Sequence, residues 1–232
     1  MSGVPGESDP VTPGRPAGVA GESGPVTPGR LAVVLGEPAV PEGTWEAEAA
    51  FVSAAALRRR IPPAELAGRV RSLPGVAEVA VRPNGFLRIV VAVPGALLAE
   101  VEPLGLPDPG WPDFPRTWDN PGFVVRYGHA RAVAARRWAR ELGVPMGHFR
   151  PESLDDPHDR AVLRVLAELP GRLVSRDPGW ETYLVRLALA YHDAHEHAPA
   201  TPIGDEPPGP VHGARVRLAQ AVQDVLVGPD RL

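Results

Sequence analysis

The segment from Asn120 to Leu142 constrains the fold more than any other, because it reads as one long helix with a defined start. Asn120 is a favourable N-cap residue, and Pro121 suits the first helical position, where no backbone N–H is needed. At 100° per residue, the apolar positions Phe123, Val124, Tyr127, Ala130, Ala134, Trp138 and Leu142 fall on one stripe. We therefore expect this stripe to pack into a core.

The basic residues of the same segment fall on the opposite face of the predicted helix. They are Arg126, His129, Arg136, Arg137 and Arg140. Such a face is a candidate phosphate-binding surface, although a solvated helix face is the simpler alternative. Arg131 is different, because it lies within the apolar stripe, where a guanidinium needs a partner. We expect Arg131 to be buried, or largely so, and to have a partner, for which Asp177 and Glu181 are the candidates.

This helix resembles the first helix of the anticodon-binding (DALR-type) domain of arginyl-tRNA synthetases, which begins with Asn-Pro and continues to a tyrosine followed by His-Ala-Arg. The matching residues are Asn120-Pro121, Tyr127 and His129-Ala130-Arg131. The likeness continues through Leu163, Leu166, Leu169-Pro170, Asp177-Pro178, Tyr183-Leu184, Leu187-Ala188, Arg215, Leu218, Val225 and Leu226. The resemblance implies a helical, anticodon-binding-like domain over residues 119–232 and tRNA as a partner.

The signatures of the synthetase catalytic domain are missing from this sequence. Neither an H-I-G-H nor a K-M-S-K-S type motif occurs, and the chain contains no lysine. The predicted linker, residues 100–118, is far too short for a catalytic domain, which needs roughly a hundred residues or more to form a core. We expect no catalytic residues and no aminoacylating activity.

Two segments precede this linker. The repeat G-E-S-D-P-V-T-P-G-R, which begins at Gly6 and returns almost unchanged at Gly21, is too rich in Pro and Gly to form a core. We therefore predict a disordered tail over residues 1–26. Residues 27–99 should form an α+β module with a short helix after Thr27, a helix from Trp45 to about Arg60, another from Ala64 to about Ser72, and a hairpin.

The predicted hairpin turns at Asn84-Gly85 and continues into Phe86 and Arg88. Its order of residues resembles the end of the N-terminal additional domain of the synthetases, which contacts the D-loop corner of tRNA. Phe86 could stack on an unpaired base, or it could pack between the hairpin and the helices. Arg88 departs from the family pattern and is a further candidate RNA contact. The whole chain is thus predicted to be mainly α, with a C-terminal helical bundle after this small module.

His195 stands where the family has a tyrosine used near the anticodon loop, so we treat it as a candidate RNA contact. Together with His192 and His197 it could suggest a metal site, but the spacing lacks a third ligand, and a solvated helix end is the better interpretation. We predict no metal and no cofactor. The chain has no cysteine and no apolar run of the ~20 residues that a membrane span requires, so we expect a cytoplasmic protein.

The formal charge is −4, but arginines outnumber acidic residues in segments 51–99 and 116–150, which coincide with the two family-like modules. Local basic surfaces of this kind can bind phosphate on an acidic protein. We favour a non-catalytic tRNA-binding protein related to arginyl-tRNA synthetase. Two alternatives remain: an accessory subunit that presents tRNA to a separate aminoacyl-transferring enzyme, and an interaction scaffold that has lost RNA binding.

Overall fold

A computed structural model describes residues 24–106, 110–112 and 114–226. These residues form eight α-helices and one four-stranded antiparallel sheet, which confirms a mainly α fold with a helical C-terminal region. The first copy of the N-terminal repeat, and with it most of the predicted disordered tail, lies outside the described residues.

The second copy of the repeat leads into the first helix, α1 (Pro28–Leu35). The hydroxyl of Thr27 accepts a hydrogen bond from the backbone N–H of Arg30, which satisfies one of the free donors of the first turn. Leu31 and Leu35 are fully buried and hold α1 against the sheet module. The predicted short helix after Thr27 is confirmed.

The sheet has the strand order β1-β2-β4-β3, in which every neighbouring pair is antiparallel. Its strands are β1 (Val40–Glu42), β2 (Ala49–Ser53), β3 (Val76–Val81) and β4 (Leu87–Val91). β3 and β4 form the predicted hairpin. Gly85 has a φ of +80° in its turn, and its N–H donates to the carbonyl of Arg82 at 2.8 Å. The Asn-Gly signal therefore identified this turn correctly.

The predicted helix from Trp45 to Arg60 is wrong. Most of that segment is a turn and β2, and only the short α2 (Ala55–Arg58) is helical. Alanine favours a helix locally, but Phe51 pairs with Ile89 of β4 and is buried in the core, and this tertiary pairing overrides the local preference. Trp45 is also buried, and its Nε1 donates to the carbonyl of Ala50 at 3.1 Å.

The helix α3 (Pro63–Arg71) packs against β3, close to the predicted range of Ala64 to Ser72. Its residues Leu66, Ala67 and Val70 are completely buried. After β4, a 3₁₀ turn at Pro94–Ala99 leads the chain towards the helical region.

The helical region contains the five remaining helices, and the first of them begins at the predicted cap Asn120. They are α4 (Pro121–Glu141), α5 (Pro157–Leu166), α6 (Leu169–Leu173), α7 (Trp180–His197) and α8 (Pro210–Val225). The Asn120 side chain accepts from the N–H of Gly122 at 2.9 Å, and the Asp156 side chain accepts from the N–H of His158 at 2.8 Å.

The buried face of α4 differs from the predicted stripe. Its buried residues are small or β-branched: Gly122, Val124, Val125, Gly128, Ala132, Ala135 and Ala139. Ala130, Trp138 and Leu142 are exposed, so their predicted burial is wrong. The small stripe lets two helices approach closely: a Cβ at Gly128 would lie 3.1 Å from the Cβ of Ala188 on α7 and 3.3 Å from Cδ1 of Leu226 after α8.

The sheet module and the helical region pack directly on each other. Arg164 Nε donates to the carbonyl of Gly43 at 2.8 Å, and Arg160 donates to the carbonyl of Ala47 at 3.2 Å. The backbone N–H of Leu104 donates to the carbonyl of Asp224 at 3.0 Å. One cluster of buried apolar residues includes members of both parts. The domain boundaries proposed at residues 99 and 119 stay a prediction.

Candidate nucleic-acid interface

Four ring side chains meet where the first half of α4 faces the second half of α7, and we call them the aromatic cluster: Trp118, Phe123, Tyr127 and His192. The Trp118 ring centroid lies 5.8 Å from that of Phe123, 5.6 Å from that of Tyr127 and 4.6 Å from that of His192. Phe123 and Tyr127, four residues apart on α4, stack at 5.4 Å. Trp118 is 50% exposed, so the cluster presents a large ring to solvent.

Arg131 lies beside the aromatic cluster. Its guanidinium carbon is 4.7 Å from the centre of the Tyr127 ring, and the same group donates to Glu196 and lies 3.1 Å from Nδ1 of His192. The hydrogen bond from Arg131 lowers the pKa of Glu196. Arg131 is largely buried, as predicted, with 22% of its side chain exposed, but the predicted partners are wrong, because its carboxylate partner is Glu196 in the last turns of α7.

The helix packing explains why the predicted partners of Arg131 were wrong. Gly128 of α4 approaches Ala188 of α7, and one turn later Arg131 reaches Glu196. The candidate partners Asp177 and Glu181 lie at the opposite end of α7, which begins at Trp180. The position of Arg131 on the helix predicts that it has a carboxylate partner. Which carboxylate it reaches depends on how α4 is aligned against α7.

His195 is half-buried at the same end of α7 as His192. Burial lowers the pKa of His195, and the charge of nearby Arg131 lowers it further. The imidazole is therefore neutral at pH 7, with one nitrogen able to donate and one able to accept a hydrogen bond. The structure brings this predicted RNA contact close to Arg131 and the aromatic cluster.

The predicted basic face of α4 divides into exposed and engaged residues. Arg137 and Arg140 are exposed, and the Nε of Arg137 is 3.9 Å from Glu141. Arg136 instead donates to the side chain of Gln223 on α8, and Arg126 donates to the carbonyl of Trp111 at 3.1 Å.

His129, the fifth residue of that predicted face, is half-buried, and burial lowers its pKa. A neutral imidazole adds no positive charge to the surface at pH 7. The exposed basic surface of α4 is thus formed by the two arginines of its last turns, Arg137 and Arg140.

The hairpin candidates lie on the sheet module. Phe86 is half-buried beside Val40 and Val52, in a groove of about 430 Å³. Arg88 is bound to Glu48 and lies 3.7 Å from Glu42, so its charge is largely compensated within the sheet. Phe86 thus lines a groove on the surface, whereas Arg88 is held in an ion-pair network.

Among the carboxylates, the largest pKa shifts belong to Asp159 and Glu168, which form structural ion pairs of the helical region. Asp159 of α5 is fully buried and accepts from Arg215 Nε at 2.9 Å; burial raises its pKa to about 6, although Arg215 acts in the opposite direction. Burial also opposes the ionisation of Glu168, but hydrogen bonds from Arg186, Arg172 and Arg164 outweigh it and lower the pKa to about 2. These carboxylates hold helices together and do not point to catalysis.

The described residues contain neither a candidate metal site nor a candidate membrane span. Within residues 24–106, 110–112 and 114–226, no three His, Asp or Glu side chains are grouped so that they could hold a metal ion. None of the helices in that part of the chain is long and apolar enough to cross a membrane.

The sequence does not single out the aromatic cluster as a site. The apolar stripe predicts Phe123 and Tyr127 to be in the core, and Trp118 falls in the predicted linker. The available signal was the concentration of aromatic residues around the N-cap, with Trp118 two residues before Asn120 and two aromatic residues four positions apart after it.

Comparison with known proteins gives two informative matches. An arginine–tRNA ligase of Clavibacter sepedonicus is 38% identical over 117 residues, which are 48% of this chain and 21% of the ligase. An arginine–tRNA ligase of Frankia alni is 36% identical over 118 residues, with the same coverage. About half of this chain is therefore homologous to part of arginine–tRNA ligases. The matched region spans about a fifth of the length of these relatives. No family model matches the chain, and no solved structure does.

Proposed function

We propose that this protein binds tRNA without aminoacylating it. The observation that carries the proposal is the half-exposed Trp118 on the aromatic cluster, beside the guanidinium of Arg131. Unpaired RNA bases bind to proteins by stacking on aromatic rings and arginine planes, at about 1–3 kcal/mol per base. A ring braced by other rings is held in one orientation, which reduces the entropy lost when a base stacks on it.

In this proposal, the exposed arginines of α4 bind phosphate groups of the RNA. Arg137 lies ten residues after Tyr127 on the same helix, which corresponds to about 15 Å along its axis. Arg137 is turned roughly 80° around the helix from Tyr127 and Arg140 roughly 140°, so an RNA whose base stacks on the aromatic cluster must bend around α4 to place phosphates beside these arginines. Arginine suits that contact because its planar group donates parallel hydrogen bonds and stays charged at any working pH.

Two observations support tRNA as the ligand and the absence of aminoacylation. The homologous relatives are ligases named for arginine and tRNA, yet the match covers only 21% of each. Phosphoryl-transfer enzymes commonly use lysine and magnesium to stabilise the transferred phosphates, and this chain contains no lysine. We accordingly expect no ATP–pyrophosphate exchange by the purified protein.

The test compares two tryptophans of similar exposure. Trp118→Ala removes the exposed ring of the aromatic cluster, whereas Trp138→Ala removes a 44% exposed ring that lies elsewhere on α4. Loss of one stacked base should weaken tRNA binding by roughly 5- to 150-fold, which corresponds to about 1–3 kcal/mol. The control variant should bind like the wild type. Equal tRNA affinity of all three proteins in a filter-binding titration would refute the assignment of this interface.

A second candidate function is supported by an apolar surface at the end of α4. Trp138 on α4, Leu142 just after its end and Met146 in the following loop are each about half-exposed, and exposed large apolar side chains of this kind are typical of a protein-contact surface. An accessory subunit that delivers tRNA to a separate enzyme would use such a surface. In that case the protein should raise kcat/KM of an arginine–tRNA ligase for tRNA, and Leu142→Asp should abolish the increase without changing tRNA affinity.

A further inference from the structure

A second exposed aromatic ring lies on the segment that leads into α4. Phe114 is 69% exposed, more than any other aromatic side chain that the structure describes. The guanidinium carbon of Arg116 lies 5.1 Å from the centre of the Phe114 ring. A single exposed apolar residue is ordinary, but unpaired RNA bases bind to proteins by stacking on aromatic rings and on arginine planes, and this site presents both groups together.

Hydrogen bonds from the N-terminal end of α4 hold the backbone on both sides of this ring. The side-chain amide of Asn120 donates to the carbonyls of Pro112 and Pro115, at 2.9 Å in each case. Arg126 donates to the carbonyls of Trp111 and Pro112, at 3.1 Å in each case. Because the segment is already ordered, a base that stacks on it costs less conformational entropy than one that must order a flexible loop.

The ring of Trp118 lies four residues further along the same segment. The Cα atoms of Phe114 and Trp118 are therefore at most about 14 Å apart. Stacked nucleotides advance about 3.4 Å along one strand, so about four of them cover this distance. One short unpaired strand can thus contact both rings.

The charges of this segment indicate that base stacking, and not phosphate binding, supplies its affinity for RNA. Arg116 is the only cation from Phe114 to Asn120, and the exposed Asp119 balances its charge. Stacking on an aromatic ring requires no net charge. Loss of the Phe114 ring should therefore weaken RNA binding without changing its dependence on salt.

We infer that Phe114 and Arg116 form a second stacking site for an unpaired base, and that the RNA segment bound by this protein is a single strand that spans Phe114 and Trp118. The inference rests on the tRNA-binding function proposed above and extends it. In a tRNA, the unpaired nucleotides of a loop or of an end supply such a strand. The segment before α4 is then part of the RNA-binding surface and not only a connection between two parts of the chain.

Binding of a single-stranded RNA tests this inference. An oligouridylate of about twelve nucleotides is titrated with the wild type, Phe114→Ala, Phe114→Leu, Phe114→Tyr and Trp118→Ala, and fluorescence anisotropy reports binding. Phe114→Leu keeps an apolar side chain without a ring, whereas Phe114→Tyr keeps the ring. The matched control is Val174→Ala, because Val174 is 71% exposed and lies at the end of α6. Circular dichroism checks that each variant is folded.

Phe114→Ala and Phe114→Leu should each weaken binding by roughly 5- to 150-fold, as should Trp118→Ala. Phe114→Tyr and Val174→Ala should bind like the wild type. Losses of this size in both single-ring variants require one strand on both rings, because two rings that bound separate strands would each leave the other site intact. The slope of log affinity against log salt should be the same for Phe114→Ala as for the wild type.

Wild-type affinity of Phe114→Ala, or an equal loss of affinity in Phe114→Tyr and Phe114→Ala, would overturn the inference. A wild type that binds tRNA but not the oligouridylate would also overturn it, because the ligand would then not be a single strand. If Phe114→Ala binds like the wild type while Trp118→Ala binds weakly, the inference fails and the tRNA-binding function stands. If neither ring variant differs from the wild type, both the inference and the proposed interface are wrong.

Discussion

Replacing Glu168 by glutamine should destabilise the protein strongly, although the side chain keeps its shape. Glu168 bridges three helices: it accepts from Arg164 of α5 at 2.7 Å, from Arg172 of α6 at 2.6 Å and from Arg186 of α7 at 2.8 Å. Its side chain is only 14% exposed, so solvent screens these interactions weakly. The substitution leaves three guanidinium groups facing one another without a carboxylate between them.

The lowered pKa of Glu168 gives the size of the expected loss of stability. It lies at about 2 instead of 4.5. A difference of about 2.5 units corresponds to about 3 kcal/mol of stability. Breaking a buried ion pair by removing one partner typically costs about 3–5 kcal/mol, which agrees. Because the folded-state pKa is lowered, this stability is fully present above pH 4.5 and is lost as the pH falls towards 2.

Urea unfolding at pH 7 measures the effect. Glu168→Gln should lower the midpoint with an unchanged m-value, which corresponds to a loss of about 3 kcal/mol. The matched control is Glu65→Gln, because Glu65 and Arg69 form an ion pair on α3 in which both side chains are about half-exposed. That pair should contribute about 0.5 kcal/mol or less. A Glu168→Gln variant as stable as the control variant would refute the argument that Glu168 organises these helices.

Three further predictions concern charged residues. Arg131→Ala should lower the free energy of unfolding in urea by about 1 kcal/mol or less, because its carboxylate partner is exposed, yet it should weaken tRNA binding. A loss of about 3 kcal/mol of unfolding free energy would show instead that the ion pair is effectively buried. The double variant Arg137→Glu/Arg140→Glu should reduce the slope of log affinity against log salt by about 1.4–1.8, and an unchanged slope would mean that neither arginine contacts phosphate. The folded-state pKa of Asp159 is raised to about 6. Its stabilising contribution is therefore present below pH 4 and is lost as the pH rises through 6. Over that range the stability of the wild type should fall by about 3 kcal/mol relative to that of Asp159→Asn. Parallel stability curves for these two proteins would contradict the raised pKa.

Helix boundaries could be read from the sequence because they depend on local chemistry. Asn120 before Pro121 and Asp156 before Pro157 each cap a helix through their own side chain, whatever packs against it later. The turn at Asn84-Gly85 is local in the same sense, since only the positive φ of the glycine is required.

Structural features that depend on contacts between residues far apart in the sequence could not be predicted from local sequence. The segment around Phe51 has the composition of a helix and becomes a strand because β4 pairs with it. On α4, the large apolar residues suggested one buried face, but the helix packs through Gly128 and its small neighbours, which leaves Trp138 exposed. The pairing of Arg131 with Glu196 depends on the register of α4 against α7, and no property of either residue alone specifies it.

The contact between the sheet module and the helices also determines which substitutions the protein can tolerate. Arg160 and Arg164 donate to the backbone carbonyls of residues 43, 46 and 47, and not to side chains of that loop. A carbonyl is present whatever residue occupies the position, so this contact recognises the path of the chain and leaves the exposed residues 46 and 47 free to vary, whereas Gly43, with a φ of +73°, and the buried Trp45 are constrained by the fold itself. Homologous proteins could therefore change every exposed side chain of the loop and keep the interface, whereas a change in loop length would displace all three acceptors at once.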